Sequence, residues 1–365
     1  MAYTTINKSS LQMNTKLYTG NSSQGRSITG IGFLPSMVWA KCRNAANNNH
    51  ILSDSVRGTN KNLQPNTGSA QIANNSQGWV SAFGSDGFTA YGGSGGYNEI
   101  NGNNNTYAAW NWKGGATSNI ATNGATTITP SAYNFNQTSG FSIIKYTGNA
   151  TSGAKVPHGL GVAPKMVITK KVGGTSNWVS YHAGVNNGSN PQNYAMSFNY
   201  NYAKDGESYY WNNTAPDAVN FTLGSSTQVN DGGNGGHIAY CFADIPGYSK
   251  FGNYKGNGNV NKGTFIYTGF KPQFLITKRD DNTSGGSWLI YDTQRDPSNT
   301  ADIILTSEGN STEAGWGNTF DIDILSNGFK MRSQTTYTNV NNANYIFMAF
   351  GQSLVGSNNV AATAR

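Results

Sequence analysis

Short apolar runs recur along the whole chain, each closed by a cluster of Gly, Asn, Ser or Thr. No long segment carries the roughly 3.6-residue spacing of an amphipathic helix. Runs of this kind bounded by turn residues predict strands. Three of them, Tyr107-Ala108-Ala109-Trp110-Asn111-Trp112, His237-Ile238-Ala239-Tyr240-Cys241-Phe242 and Tyr345-Ile346-Phe347-Met348-Ala349-Phe350, are apolar on both faces. That predicts central strands of a packed sandwich, covered on both faces. The pattern is that of an all-β protein.

The strands come in an order that repeats. Tyr18-Thr19-Gly20-Asn21, Tyr146-Thr147-Gly148-Asn149 and Tyr254-Lys255-Gly256-Asn257 each precede a turn-rich loop. Each loop leads to Gly-φ-x-Pro-x-φ-φ-φ-x-Lys, with φ apolar, around Pro35, Pro164 and Pro272. The prolines lie 164 − 35 = 129 and 272 − 164 = 108 residues apart; the tyrosines give 146 − 18 = 128 and 254 − 146 = 108. Two landmarks with matching offsets indicate duplication. We therefore expect three tandem, related antiparallel β-sandwich modules of jelly-roll or lectin-like kind. The expected boundaries are an N-terminal arm at 1–15, module 1 at 16–113, a Gly/Ala/Ser/Thr/Asn linker at 114–140, module 2 at 141–246, module 3 at 247–351 and a polar tail at 352–365. Strand order is kept while loops diverge, which suits a scaffold that presents variable loops.

Composition narrows the class. Charged residues are 11% of the chain, against about 25% in an average protein. Aromatic residues are 12%, so apolar bulk for cores is present and the chain is not of disordered type. The net charge of +7 is scattered, unlike the clustered footprint of a nucleic-acid binder. No apolar run approaches the roughly 18 residues of a membrane span. The first residues lack the apolar region of a signal peptide. Cys42 and Cys241 stand at unrelated repeat positions, as two reduced thiols or as one bridge between modules.

Candidate chemistry is sparse. His50, His158, His182 and His237 form no ligand set for zinc, and His158 sits in a turn. Asp280-Asp281-Asn282 and Asn230-Asp231-Gly232 lack EF-hand spacing. Asp321-Ile322-Asp323 would place two carboxylates on one strand face, as glycosidase acid/base work requires. Asp54-Ser55-Val56-Arg57 and Asp292-Thr293-Gln294-Arg295 occupy one repeat position, as a ligand site or as a turn whose Asp caps backbone donors and pairs with Arg; module 2 has His182 there. We assign no catalytic, cofactor or metal residue. Two sets of residues are candidate partner surfaces. Lys41 with Arg43, Lys170 with Lys171, and Lys278 with Arg279 end the proline strands and could grip an acidic polysaccharide or protein shell. Tyr91, Tyr97, Tyr209, Tyr210 and Trp211 lie in Gly/Asn loops and could stack on sugar rings.

The first module resembles a family of tailed-phage proteins, notably of marine bacteriophages and cyanophages. The matching residues are Tyr18 to Asn21, Ile28 to Lys41, Asp54 to Gly58, Ser85 to Phe88 and Trp110 to Lys113, with an opening, Met1 to Ile6, that is similar too. The match covers about the first 115 residues; modules 2 and 3 keep the skeleton but lose Val-Trp and Ser-Asp-Gly. The resemblance implies a virion structural or surface protein, made in the host cytoplasm, and supplies no catalytic residues. The expected function is a non-enzymatic tail-fibre or adhesin component, or a capsid decoration (knob) protein. Expected partners are other virion proteins and host-surface polysaccharide, with neither nucleic acid nor membrane insertion; a homo-oligomer is compatible. The alternative is a glycan-binding or glycan-degrading virion protein.

Overall fold

The computed structural model describes residues 4–95, 98–233, 235–282 and 286–354, and it is nearly all antiparallel β. Three inner sheets share one strand order. In module 1 the opening strand Met13–Thr19, the closing strand Thr106–Lys113, the proline strand Pro35–Cys42 and the strand Ile51–Asp54 lie side by side in that order. Module 2 repeats it with Phe141–Tyr146, His237–Phe242, Met166–Lys171 and Val179–His182, and module 3 with Ser249–Lys255, Asn344–Ser353, Phe270–Arg279 and Leu289–Asp292. A smaller outer sheet completes each sandwich: Gln24–Ile28, Gly87–Tyr91 and Trp79–Gly84 in module 1, Ala154–Pro157 and Asn220–Leu223 in module 2, and Phe265–Tyr267, Gly328–Met331 and Ile322–Leu325 in module 3.

The closing strands are covered on both faces, but the second cover is not the one a lone sandwich supplies. Alternate side chains point to opposite faces of a strand. Tyr345, Phe347 and Ala349 enter the core between the two sheets of module 3. Ile346, Met348 and Phe350 enter a central core that draws on all three modules. Ile238, Tyr240 and Phe242 of module 2 and Ala108, Trp110 and Trp112 of module 1 do the same. Each module thus has its own core, and a fourth lies where the three inner sheets meet.

That fourth core has a pseudo-threefold axis. Trp110, Tyr240 and Met348 occupy one repeat position, opposite Trp39, Ile168 and Ile276 on the proline strands. Two residues on, Trp112, Phe242 and Phe350 meet pairwise at ring separations of 6.4, 5.8 and 5.9 Å. Three equivalent rings in a near-equilateral triangle place the axis between them. A void of about 20 Å³ beside Trp39, Trp112, Trp178 and Phe242 is the size of a single water, so this core is packed rather than a channel.

The segments between modules are also built in. Residues 114–140 contain the strand Ala132–Asn136, which pairs with Phe141–Tyr146. Asn134 Nδ2 donates to Ser36 Oγ of module 1 at 3.2 Å. The expected N-terminal arm joins the fold early: Ile6 is buried in the central core and Met13 already lies in the opening strand.

Candidate functional site

The repeated Tyr-x-Gly-Asn is a structural device. The hydroxyls of Tyr18, Tyr146 and Tyr254 donate to the carbonyls of Ile100, Val229 and Thr338 at 2.7, 2.7 and 2.8 Å. The next residues, Asn101, Asn230 and Asn339, are buried, and each side-chain oxygen accepts the backbone N–H of the motif's Asn. Their amides donate to the carbonyls of Ser23, Thr151 and Asn259. Gly20, Gly148 and Gly256 lie so close to this segment that a Cβ would fall 2.1, 2.3 and 2.1 Å from its backbone. The three asparagines escaped the sequence reading, although their offsets, 230 − 101 = 129 and 339 − 230 = 109, agree with those of the prolines to within one residue.

The Asp/Arg position lies on the seams between modules. Asp54 Oδ1 accepts the N–H groups of Val56 and Arg57, and Asp292 Oδ1 those of Gln294 and Arg295. The Arg57 and Arg295 guanidinium groups pair with these carboxylates and donate on to Leu52 O and Ile290 O. The remaining valence of each carboxylate is used by another module. Tyr240 of module 2 donates to Asp54 at 2.7 Å, and Trp110 of module 1 donates to Asp292 at 3.1 Å. In module 3 the equivalent closing-strand residue is Met348, which has nothing to donate, and the acceptor is gone too. His182 replaces the Asp. Its Nδ1 accepts Gly184 N–H, so Nε2 carries the proton and donates to Phe347 O at 3.0 Å. The contacts run module 2 to 1, module 3 to 2 and module 1 to 3, which closes a ring.

A second ring of contacts uses the residues that open the strand after the proline strand. Trp178 Nε1 donates to Gln64 O and Thr67 O of module 1, and Trp288 Nε1 to Ser197 O and Tyr200 O of module 2. His50 takes that place in module 1: it accepts Trp39 Nε1–H on Nδ1, so its Nε2 donates to Thr306 O of module 3 at 3.1 Å.

The expected basic surface is corrected by this geometry. Lys41, Lys170 and Lys278 are fully buried at these seams, and their ammonium groups are taken by backbone carbonyls. Lys170 also reaches Gly68 O of module 1, and Lys278 reaches Asn201 O of module 2. Burial pulls all three down to about 8. Arg43 bridges to Glu313 of module 3, Lys171 pairs with Asp231, and Arg279 pairs with Asp281 and donates to Thr336 Oγ1. None of these six offers a free cation to a partner.

The aromatic candidates divide. Tyr210 and Trp211 are corrected from loop platform to core: a one-turn helix, Ser208–Trp211, carries both into the module 2 core. Tyr91 is half-buried and stacks on Trp79 at 4.1 Å. Tyr209 is exposed, with its hydroxyl 3.4 Å from Asp205. Tyr97 lies outside the described residues.

The histidine, paired-carboxylate and cysteine candidates are likewise engaged within the fold or buried in it. His158 bonds Leu160 N–H and Asp217 O, as a turn histidine should. Burial holds His158, His182 and His237 near 4 and His50 well below its ordinary range. Asp323 pairs with Arg332, while Asp321 lies just before its strand and accepts Asn318 N–H. Cys42 and Cys241 are both buried free thiols. Among the described residues, no group of three His, Cys, Asp or Glu could hold a metal, and no helix is long and apolar enough to cross a membrane.

Two open clefts are the candidate ligand sites. One, of about 410 Å³, lies in module 2 between Val179, Ala195, Ser197 and the segment Tyr202 to Asp205. The other, of about 320 Å³, lies in module 3 between Leu289, Ile304, Thr306 and the segment bearing Ser311, Thr312 and Trp316. They are the same place in two copies. Val179 pairs with Ser197 as Leu289 pairs with Thr306, and Ala195 bridges Asp205 as Ile304 pairs with Ala314.

Comparison with curated proteins and with solved structures finds no match. The family model described as "Domain of unknown function (DUF7483)" matches residues 8–353. That span takes in all three modules and both rings of seam contacts, so the chain belongs to this family as a whole and not through one module alone.

Proposed function

We propose that this chain is a non-enzymatic structural protein exposed on a bacteriophage particle, as a tail-fibre or adhesin component or as a capsid decoration. The observation that carries the reading is the cyclic sealing of three like modules into one body. The residues that usually supply chemistry are consumed in that sealing: both Asp/Arg pairs, His50, His182 and the three strand-end lysines bind other modules or backbone. Such a body suits a rigid fixture that carries variable loops on a repeated frame. The phage setting rests on the resemblance of the first module to tailed-phage proteins. Expected partners are other virion proteins.

Immunogold labelling of intact and opened particles with antibody to this protein tests it. Gold over the head supports decoration, and gold at the tail supports an adhesin. Absence of gold from both preparations, with controls labelled, overturns the virion reading. A glycan-degrading alternative has its own test. Sustained release of reducing ends from host polysaccharide, lost on Asp321→Asn with Asp323→Asn, would replace the non-enzymatic reading.

A further inference from the structure

Module 1 closes the cleft position with a side chain of its own. The residues equivalent to Asn177 and Ser197 of module 2, and to Ser287 and Thr306 of module 3, are Asn49 and Gln64. Their amides converge on one carboxylate, that of Glu99, at 2.9 and 3.0 Å, and Asn75 adds a third bond at 2.9 Å. Glu99 is 1% exposed. In module 1 the chain therefore fills its own cleft with an oxygen-bearing group. Modules 2 and 3 keep the wall and leave the space open.

What lines the open copies is specific. Tyr202 is 56% exposed and lies parallel to Tyr200, 4.9 Å away and tilted by 6°. Trp316 is 59% exposed at the mouth of the module 3 cleft. Large aromatic faces left to water beside a cleft are costly unless something apolar covers them. Short polar groups share the lining: Asn177, Ser197 and Asp205 in one cleft, Ser287, Thr306 and Thr312 in the other. Amide, hydroxyl and carboxylate groups of this kind donate to or accept from hydroxyls. In the module 2 cleft Lys204 pairs with Asp280 at 3.6 Å and Asp205 accepts the Tyr210 hydroxyl, and among the described residues no charged side chain lines the module 3 cleft. That excludes an anion such as phosphate as the common ligand. Both volumes fall in or near the range of small-molecule sites, about 300–1,000 Å³. A pyranose ring presents an apolar CH face and a rim of hydroxyls, which matches a lining that combines an exposed aromatic side chain with short polar groups.

We propose that the clefts of modules 2 and 3 are two equivalent binding sites for neutral pyranose units of a glycan, with Tyr202 and Trp316 as the stacking residues and module 1 as a self-occupied third copy. This goes beyond the scaffold role above and holds wherever in a particle the chain sits.

Saturation-transfer NMR on the full chain tests it, with the methyl glycosides of glucose, galactose, mannose and N-acetylglucosamine as probes. Saturable transfer to the ring protons of at least one is expected. Tyr202→Ala and Trp316→Ala should each weaken binding at one of the two sites roughly tenfold or more, and the double variant should weaken both. Both side chains are exposed, so melting temperatures should stay unchanged. A second pair, Ser197→Gln and Thr306→Gln, installs the module 1 residue in each cleft and should also block binding. No transfer to any of the four probes, or full binding by the stacking double variant, overturns the assignment. Immunogold results bear on none of these outcomes, so this proposal and the virion reading fail separately.

Discussion

Three tyrosines, three glycines and three buried asparagines fix the opening strand to the segment before the closing strand, once in each module. Adding a methyl at Gly148 drives Cβ into the backbone of Asn230, which no rotamer change can relieve. Gly148→Ala should therefore lower stability by about 2–3 kcal/mol, read as a fall in the urea midpoint; an unchanged midpoint would show that this contact relaxes freely. The motif was legible in the sequence because it repeats. Its partners Asn101, Asn230 and Asn339 were not, because one Asn among many turn asparagines carries no local mark of burial. The strand-end lysines were misread for a related reason: charge is ordinarily exposed, and nothing local reveals that a carbonyl from another module will take the ammonium. Burial also sets the response to pH. The folded-state values of His158, His182 and His237 lie near 4, against an ordinary 6.5. The unfolded chain therefore takes up protons first as pH falls, and stability drops from about pH 6.5 toward 4. Each buried histidine should cost on the order of 2 kcal/mol by pH 5. In His182→Gln, denaturation midpoints at pH 7 and pH 5 should differ less than in the native chain; an equal difference would exclude His182 from the effect. The lysines work at the other end. Held near 8 against an ordinary 10.5, they leave the unfolded chain with more bound protons between those values, so they add stability as pH rises through that window.

At the scale of the strand, runs apolar on both faces correctly marked the closing strands as central. The inference that the facing sheet of a sandwich covers both sides was wrong in its cause. One face of each meets its own module and the other meets the two neighbouring modules. A sequence pattern records that a face is covered, not by what. The Asp/Arg turn was likewise legible as a cap with an ion pair, but its link to Tyr240 or Trp110 spans 186 and 182 residues. The exchange of Asp for His182, in the module whose partner strand offers Met348 instead of a donor, is the clearest sign that the seams are matched element to element. His182→Asp places a carboxylate where Val185 replaces the arginine found in the other two copies. An unpaired buried charge should cost about 3–5 kcal/mol at pH 7, measured by urea denaturation. Tyr240→Phe, which removes only the hydroxyl donated to Asp54, should cost about 1.5–3 kcal/mol. If both variants keep the native midpoint, the ring of contacts is not what holds the modules.

At the scale of the molecule, the duplication was read from two offsets, while the arrangement around an axis was not, since equal spacing fits a row of modules as well as a ring. The triangle of Trp112, Phe242 and Phe350 and the two closed rings of seam contacts make the difference. Each module presents to that core a face no lone sandwich could leave in water. The three should therefore fold and unfold as one unit. Differential scanning calorimetry of the full chain tests this most directly. The account predicts one transition whose calorimetric and van't Hoff enthalpies agree. Two or three separable transitions would mean that the modules stand alone and that the shared core does not bind them into one body.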